Sequence, residues 1–321
     1  MAKEETKTEM KTESGSKNSG RTDIFALWSY HYELKGTGGL TLRGYSRGGE
    51  RSGFTIPALS VMFDAGIRTH QTPDRILITH CHCDHSYDLP IIMAGNYDVR
   101  CKIYSPVASQ VLDSFITSSF KLMGNTVPHH QTTHLDHMVD HRFQFKQNNK
   151  LYEIETFRCY HTVPTIGYGI SEFRQKVKKE ILDKNMTGKE MGELIQKAKA
   201  NIDGISETDI FENVKFPHIV YLCDTTIDVL NPKKQLEGKT SIFEYKYIMI
   251  ECTIFDEENK ESAYSHKHIY WGDLLPYVKE HPDNTFILIH FSTRYTNDEI
   301  KMFFDRECTE QSIDNVVPWL N

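Results

Sequence analysis

Short apolar runs that stop at a histidine or an acid recur along this chain, and no other feature narrows its fold as much. "RILIT" (75–79) runs directly into "HCHCDH". "KLYEIETFRCYHTVP" alternates like a strand and reaches His161, and "HIVYLCDTT" (218–226) reaches Asp224. "YKYIMIECTIF" ends its apolar run at Glu251, and "NTFILIHFSTRY" (284–295) at His290. "FTIPALSVMFDAG" reads as strands joined by a turn, closing on an acid and a glycine. Runs this short, rich in β-branched and aromatic residues, suit buried strands. Between them, "LPIIMAGNY" reads as a helix start, and "PVASQVLDSFITSSFKLM" as a helix after the strand "CKIYSP". Open α/β sheets gather their functional groups at the carboxyl ends of strands. The pattern therefore predicts an α/β fold with its site at those ends. No internal repeat is visible.

With 321 residues and 39% hydrophobic content the chain can bury a sizeable core. A net charge of −7 does not announce a nucleic-acid binder, so any such role needs a local basic patch. Seven cysteines, an odd number without framework spacing, suit free thiols in a reducing compartment. No run approaches the roughly 18 apolar residues of a membrane span. The start, "MAKEETKTEMKTESGSKNSGRTD", has no apolar stretch and alternates Lys with Glu, unlike a signal or transit peptide. Residues 1–22 read as a disordered, solvated tail, and the expectation is a soluble, intracellular, cytoplasmic protein.

In His80-x-His82-x-Asp84-His85 the spacing of two sends alternate side chains to one face if the strand runs on. In a loop it lets them converge. Imidazole and carboxylate suit zinc or a similar divalent ion. Cys81 and Cys83 are off phase, which argues against thiolate ligation. A polar surface cluster is the plain alternative, and the buried-looking strand before it argues against that.

"THCHCDH" matches the T-H-x-H-x-D-H signature of the metallo-β-lactamase superfamily. The other blocks resemble one branch, the ribonuclease Z (tRNase Z) family in its short form. "HTVPTIGYGI" (161–170) resembles H-x-x-P-S-x-G-Y, "YLCDTT" resembles T-G-D-T-T, and "IECTIF" resembles H-E-A-T-F or E-S-T-F. "HKHIYWGDL" resembles H-I-H-I or H-S-T, and "LIHFSTRY" resembles L-x-H-F-S-A-R-Y. The blocks keep the family order over roughly residues 40 to 300. The resemblance implies an αββα sandwich over 23–321, with two facing sheets and helices outside. It implies one metal on His80, His82 and His161, a second on Asp84, His85 and His290, and Asp224 bridging them. Two ions, Zn2+ or alternatively Mn2+ or another divalent ion, would sit roughly 3.5 Å apart and clamp both oxygens of a phosphoryl displacement. Asp84 would also orient the nucleophile.

By the same resemblance the substrate is precursor tRNA, the 3′ trailer is removed to leave a 3′-hydroxyl on the tRNA, and the enzyme is a homodimer. His268, oriented by Glu251, would protonate the departing oxygen, with His266 as the alternative. Ser292 and Arg294 would hold a phosphate, unless Arg294 is a structural ion-pair partner. The less hydrophobic stretch 171–216 reads as an inserted arm in the position of the family's tRNA-binding exosite. Its residues 173–200 carry eight Lys or Arg against four acids. Lys176, Lys178 and Lys179 would grip phosphates there by counterion release, the alternative being a solvated helix with ordinary charge pairs.

Two departures stand out. The family's D-H-I-G-G-L-P is "DHSYDLP" here, with Tyr87 and Asp88 making a bulkier mouth, and Cys223 replaces the Gly before the bridging aspartate. In "HHQTTHLDHMVDHR" (129–142), His137 and His141 are four apart and could share a helix face. No strand delivers them to a partner block, which argues against a further metal site. The alternative functions are a related hydrolase acting on another phosphodiester, a lactone or a β-lactam, and a non-catalytic RNA- or partner-binding relative.

Overall fold

The computed structural model describes residues 26–69, 71–95, 100–184, 186–235 and 240–320. The tail expected over 1–22 lies outside the described residues.

Two seven-stranded sheets form the centre. The first holds, in spatial order, β1 (His31–Leu34), β2 (Leu40–Arg47), β3 (Arg51–Ile56), β4 (Val61–Phe63), β5 (Arg75–Leu77), β6 (Cys101–Ser105) and β7 (His130–His134). The second holds β8 (Arg142–Gln147), β9 (Lys150–Arg158), β10 (Ile166–Val177), β11 (Phe211–Leu222), β12 (Tyr247–Glu251), β13 (Thr285–Ile289) and β14 (Val316–Pro318). In each sheet the first four strands pair antiparallel and the last four pair parallel. The halves thus repeat one topology that no sequence repeat betrays. Strand pairing asks only for alternating apolar side chains, which many unrelated residues supply.

The faces sort into layers. Phe54, Phe63 and Leu77 of the first sheet pack on Ile154, Tyr168, Tyr221, Met249 and Ile287 of the second, forming the inner core. Outside the first sheet, Ile76 and Ile103 meet Leu89 and Ile92 of helix Leu89–Met93 and Leu112, Ile116 and Phe120 of helix Ser109–Leu122. Outside the second, Val220, Ile248 and Leu288 meet Leu274 and Val278 of helix Trp271–Glu280 and Ile300 and Phe304 of helix Asn297–Gln311. Both faces of the central strands are therefore covered, which is why "RILIT" and "NTFILI" read as continuous apolar runs. This is the αββα sandwich.

The motif "TIGYGI" locks the sheets in register. Tyr168 is fully buried and its hydroxyl donates to the Ile78 carbonyl at 2.8 Å, tying β10 to the chain just before the histidine cluster. A Cβ on Gly167 would stand 2.8 Å from the Tyr221 carbonyl oxygen, so only glycine lets β10 lie this close to β11.

Past Phe173, β10 leaves β9 and runs on with β11 alone. This ribbon carries helices Lys179–Leu182, Gly188–Lys199 and Glu207–Ile210 around a small core of Ile181, Ala198 and Ile210. At its base buried Glu172 accepts hydrogen bonds from Arg174 at 2.9 Å and from His218 at 3.0 Å, and pairs with Lys150 at 3.2 Å. Among the described residues no helix is long and apolar enough to cross a membrane.

Candidate metal centre

Strand direction explains the convergence. β9 is antiparallel to β10, which is antiparallel to β11, so β9, β11, β12 and β13 all point the same way. Their carboxyl ends present His161, Asp224, Glu251 and His290 along one edge. The first sheet meets that edge where the Ile166 amide donates to the Thr79 carbonyl at 3.0 Å. The histidine cluster does not continue β5. It leaves the strand as a loop and turns into the short helix Cys83–Ser86, so its side chains converge by bending. Gly66 permits that bend: a Cβ there would lie 1.7 Å from the Asp84 carbonyl oxygen.

Two groups of ligand atoms result, each with all its atoms within 4.8 Å of one another: His80, His82, His161 and Asp224, then Asp84, His85, Asp224 and His290. His82 Nδ1 lies 3.0 Å from His80 Nε2 and 3.3 Å from His161 Nε2. Asp224 divides its oxygens between the groups. Oδ2 faces His80 Nε2 at 3.7 Å and His161 Nε2 at 3.8 Å. Oδ1 faces His290 Nε2 at 3.2 Å and His85 Nε2 at 3.5 Å. Asp84 Oδ2 approaches His85 Nε2 at 3.2 Å and His290 Nε2 at 3.4 Å, and accepts from the Gly49 amide at 3.2 Å.

An outer ring of residues turns the imidazoles inward. Asp64, buried at the end of β4 with a φ of 56°, accepts from His85 Nδ1 at 2.9 Å and from the Tyr221 hydroxyl at 2.8 Å. The Thr79 hydroxyl donates to Asp64 Oδ1 at 2.9 Å, leaving its oxygen to accept from His80 Nδ1 at 3.1 Å. The Thr253 hydroxyl donates to Glu251 and in the same way accepts from His290 Nδ1 at 3.1 Å. His161 Nδ1 donates to the Lys267 carbonyl at 3.3 Å. Each of these rings then presents an unprotonated Nε2 to the centre, the tautomer a metal ligand needs.

The donor set fits divalent ions. His85 Nε2 is buried without a hydrogen bond among the described residues, a costly state for a ring nitrogen that nothing coordinates. Burial and the neighbouring His85 push His80 well below the usual imidazole range, favouring the neutral ligand form. Burial pushes the Asp84 carboxyl up, but the His290 and His85 rings outweigh it and hold that carboxyl well below the usual range. Cys81 packs toward the helices outside the first sheet and Cys83 is exposed; neither joins a ligand group.

Beside the ligands, His268 Nδ1 donates to Glu251 Oε1 at 2.9 Å. The fully buried Glu251 also accepts from the Thr225 amide at 2.7 Å and the Ile269 amide at 3.2 Å. The His268 ring centroid lies 5.1 Å from that of His161 and 5.4 Å from that of His290. His266 is exposed and donates to the Ser262 carbonyl at 2.8 Å.

The remaining expected residues fall farther out. Arg294 is exposed, with Nε donating to Ser292 Oγ at 3.1 Å and Nη1 donating to Asn259 Oδ1 at 2.5 Å. Lys176, Lys178 and Lys179 lie in the arm, away from both ligand groups. Lys176 and Arg174 stand on a strand instead of a helix, both against the Phe216 ring. Lys178 approaches Glu180 at 4.0 Å. Tyr87 is 64% exposed, and Asp88 is paired with Arg51 at 3.0 Å. Cys223 is buried and donates to Asp224 Oδ1 at 3.2 Å. His137 and His141 share no helix face, because their segment is strand β7 followed by a turn. The residues that sequence reading missed are Asp64, Thr79, Thr253 and Tyr221. Asp64 alone left a signal, as the acid closing "VMFDAG".

No protein-family model matches the chain. It is 24% identical over 269 residues to the tRNase Z TRZ1 of Arabidopsis thaliana, covering 82% of this chain and 89% of that protein. It is 27% identical over 233 residues to the ribonuclease Z of Protochlamydia amoebophila, covering 72% of each. Among solved structures, human tRNase Z, short form, superposes with a TM-score of 0.51 at 16% identity, covering 87% of this chain and 96% of that one. The metallo-β-lactamase fold protein YhfI of Bacillus subtilis gives the same TM-score at 13% identity, covering 86% and 94%. In sequence this chain is thus similar to ribonuclease Z enzymes, and its fold is that of the metallo-β-lactamase proteins.

Proposed function

We propose that this chain is a zinc-dependent endoribonuclease that removes the 3′ trailer of precursor tRNA and works as a homodimer. The Glu251–His268 pair beside the ligand groups carries the reading. A ribose 3′-oxygen leaves as a strong base and must be protonated as it departs, which asks for an acid at that point. Hydrolysis of a lactone or β-lactam on the same scaffold makes no equal demand for a buried carboxylate–imidazole pair.

Two zinc ions, or other divalent ions, held by His80, His82, His161, Asp224, Asp84, His85 and His290 would supply a nucleophilic water at neutral pH and neutralise phosphoryl charge. Asp84, held as a carboxylate, accepts a hydrogen bond from the attacking water and aims it at phosphorus. His268 keeps one proton on Nδ1 for Glu251 and gives the Nε2 proton to the leaving oxygen. The P–O3′ bond breaks, the tRNA departs with a 3′-hydroxyl, and the trailer keeps a 5′-phosphate. Ser292 and Arg294 steady a phosphate beside the last ligand. Lys176, Lys178 and Lys179 hold the tRNA body through its backbone. The free thiols suit the reducing environment of a cytoplasmic enzyme.

The test is incubation of zinc-loaded protein with a labelled precursor tRNA and, in parallel, a chromogenic β-lactam. Cleavage of the RNA with the β-lactam untouched is the expected result. Hydrolysis of the β-lactam with intact RNA would transfer the chain to the alternative hydrolase class.

A further inference from the structure

The loop after β9 carries His161 into the metal centre, and its outer side walls a space that the steps above do not use. A cavity of about 480 Å³ opens there, lined by Arg158, Tyr160, His161, Lys267, His137 and Asp228, among others. Small-molecule pockets run to roughly 300–1,000 Å³. The walls are firm. The Tyr160 hydroxyl donates to the Lys234 carbonyl at 2.6 Å, and its amide donates to Thr225 Oγ1 at 2.9 Å. The Arg158 guanidinium stands 4.9 Å from the Tyr160 ring centroid and has no acidic partner among the described residues. Asp228 is paired with Lys234 at 2.5 Å, which offsets its charge. Lys267 is exposed, takes a left-handed φ of 58° and donates to the His161 carbonyl at 3.1 Å. An aromatic ring, an uncommitted guanidinium and an ammonium group thus surround a space that touches a metal ligand.

The geometry points to this cavity as the seat of the unpaired nucleoside on the 5′ side of the scissile phosphate, the one whose 3′-oxygen leaves. The inference rests on the endonuclease reading. His268 must reach that oxygen, and the cavity begins at its chain neighbour Lys267 and at His161, whose ring centroid is 5.1 Å from that of His268. The sugar carrying the leaving oxygen therefore faces this wall. A base freed from the acceptor stack lies against the Tyr160–Arg158 pair, since aromatic and guanidinium planes accept any base face. Arg158 and Lys267 then meet the phosphate on the 5′ side of that nucleoside as charge-assisted donors. His137, from the histidine-rich segment, also lines the cavity.

The experiment combines Tyr160→Leu and Arg158→Ala with two precursor tRNAs, one intact and one abasic at the residue just 5′ of the cut. Wild type should lose about ten- to hundredfold in kcat/KM on the abasic precursor, the usual range for one stacked base. Each variant should show that loss on the intact precursor and little further loss on the abasic one, with zinc content and melting temperature unchanged. Adenosine 5′-monophosphate, which resembles the product terminus, should bind zinc-loaded wild type at least tenfold more tightly than Tyr160→Leu. Equal abasic penalties in wild type and variants would overturn the proposal, as would coupling to an abasic residue on the trailer side. A wild-type chain that binds the nucleotide with this Tyr160 dependence but never cuts precursor tRNA would retain the pocket and sink the endonuclease reading instead.

Discussion

His268 Nδ1 donates to Glu251 Oε1 across 2.9 Å, joining a partly exposed imidazole to a carboxylate with no solvent exposure. Burial pulls the imidazolium down, but the Glu251 charge outweighs it and the pKa is pushed up to about 9. On the proposed reading this is the proton that the leaving oxygen collects. Replacing His268 by Ala should cut precursor tRNA cleavage by on the order of 10² to 10⁴ while both metals stay bound. Hydrolysis of a p-nitrophenyl phosphodiester should fall far less, because nitrophenolate leaves without a proton. Equal losses on both substrates would assign His268 to metal binding, and a crippled His266→Ala would move the acid two residues back.

The same pair has a pH signature in chelator-treated protein. A histidine whose folded pKa is raised from 6.5 to about 9 adds stability that is full below pH 6.5 and lost as pH rises through 9. Glu251→Gln removes the partner charge. Denaturant titrations of the metal-free chain at pH 6 and pH 9.5 should differ more for wild type than for Glu251→Gln, by on the order of 2 kcal/mol. An identical pH slope in both proteins would separate Glu251 from the His268 charge.

Asp64 supports one ligand group more than the other, since its carboxylate orients His85 directly at 2.9 Å and reaches His80 only through Thr79. Asp64→Asn should weaken one metal by about 10- to 100-fold, the usual cost of losing such an outer partner. Chelator competition would read it as one weakened and one nearly unchanged ion. Asp224→Ala, by contrast, should bind clearly fewer ions than the two proposed for wild type, because both groups share its oxygens. A wild-type value near one under saturating zinc would contradict the bridging arrangement.

Much of this was legible in the sequence because strands and ligands obey local rules. Each apolar run predicted a strand, and the run ends His161, Asp224, Glu251 and His290 fall along one edge of the second sheet. The outer tautomer-setting ring was not legible. Thr79 and Thr253 look like ordinary strand-end hydroxyls, and Tyr221 like a core aromatic, until β4–β5 pairing sets Asp64 beside Thr79, the facing sheet brings Tyr221 to it, and Thr253 meets Glu251 and His290. Those contacts span as many as 157 residues of chain, beyond any local pattern. The arm shows the opposite error of scale. Its charge count was correct, yet Arg174 is bound to buried Glu172 and cannot be counted as free for a polyanion.

For that reason the lysines, and not Arg174, carry the arm prediction. Lys176 and Lys179 are exposed, and Lys178 lies 4.0 Å from Glu180 and within electrostatic reach of Asp209. Changing Lys176, Lys178 and Lys179 together to Ala should flatten the salt dependence of precursor tRNA binding by up to about three units of log–log slope. The Michaelis constant for the precursor should rise, with small phosphodiester hydrolysis almost unchanged. Loss on both substrates would make the arm a support for the fold or for the proposed dimer, and loss on neither would leave it a solvated appendage.

The most direct test of the account is end-group analysis of the products formed from a 3′-extended precursor tRNA by the zinc-loaded chain. A single cut at the trailer junction is expected, giving a tRNA with a 3′-hydroxyl and a trailer with a 5′-phosphate, both abolished by chelation and restored by zinc. A tRNA ending in a 3′-phosphate, scattered internal cuts, or an uncut precursor in protein shown to hold two zinc ions would contradict it.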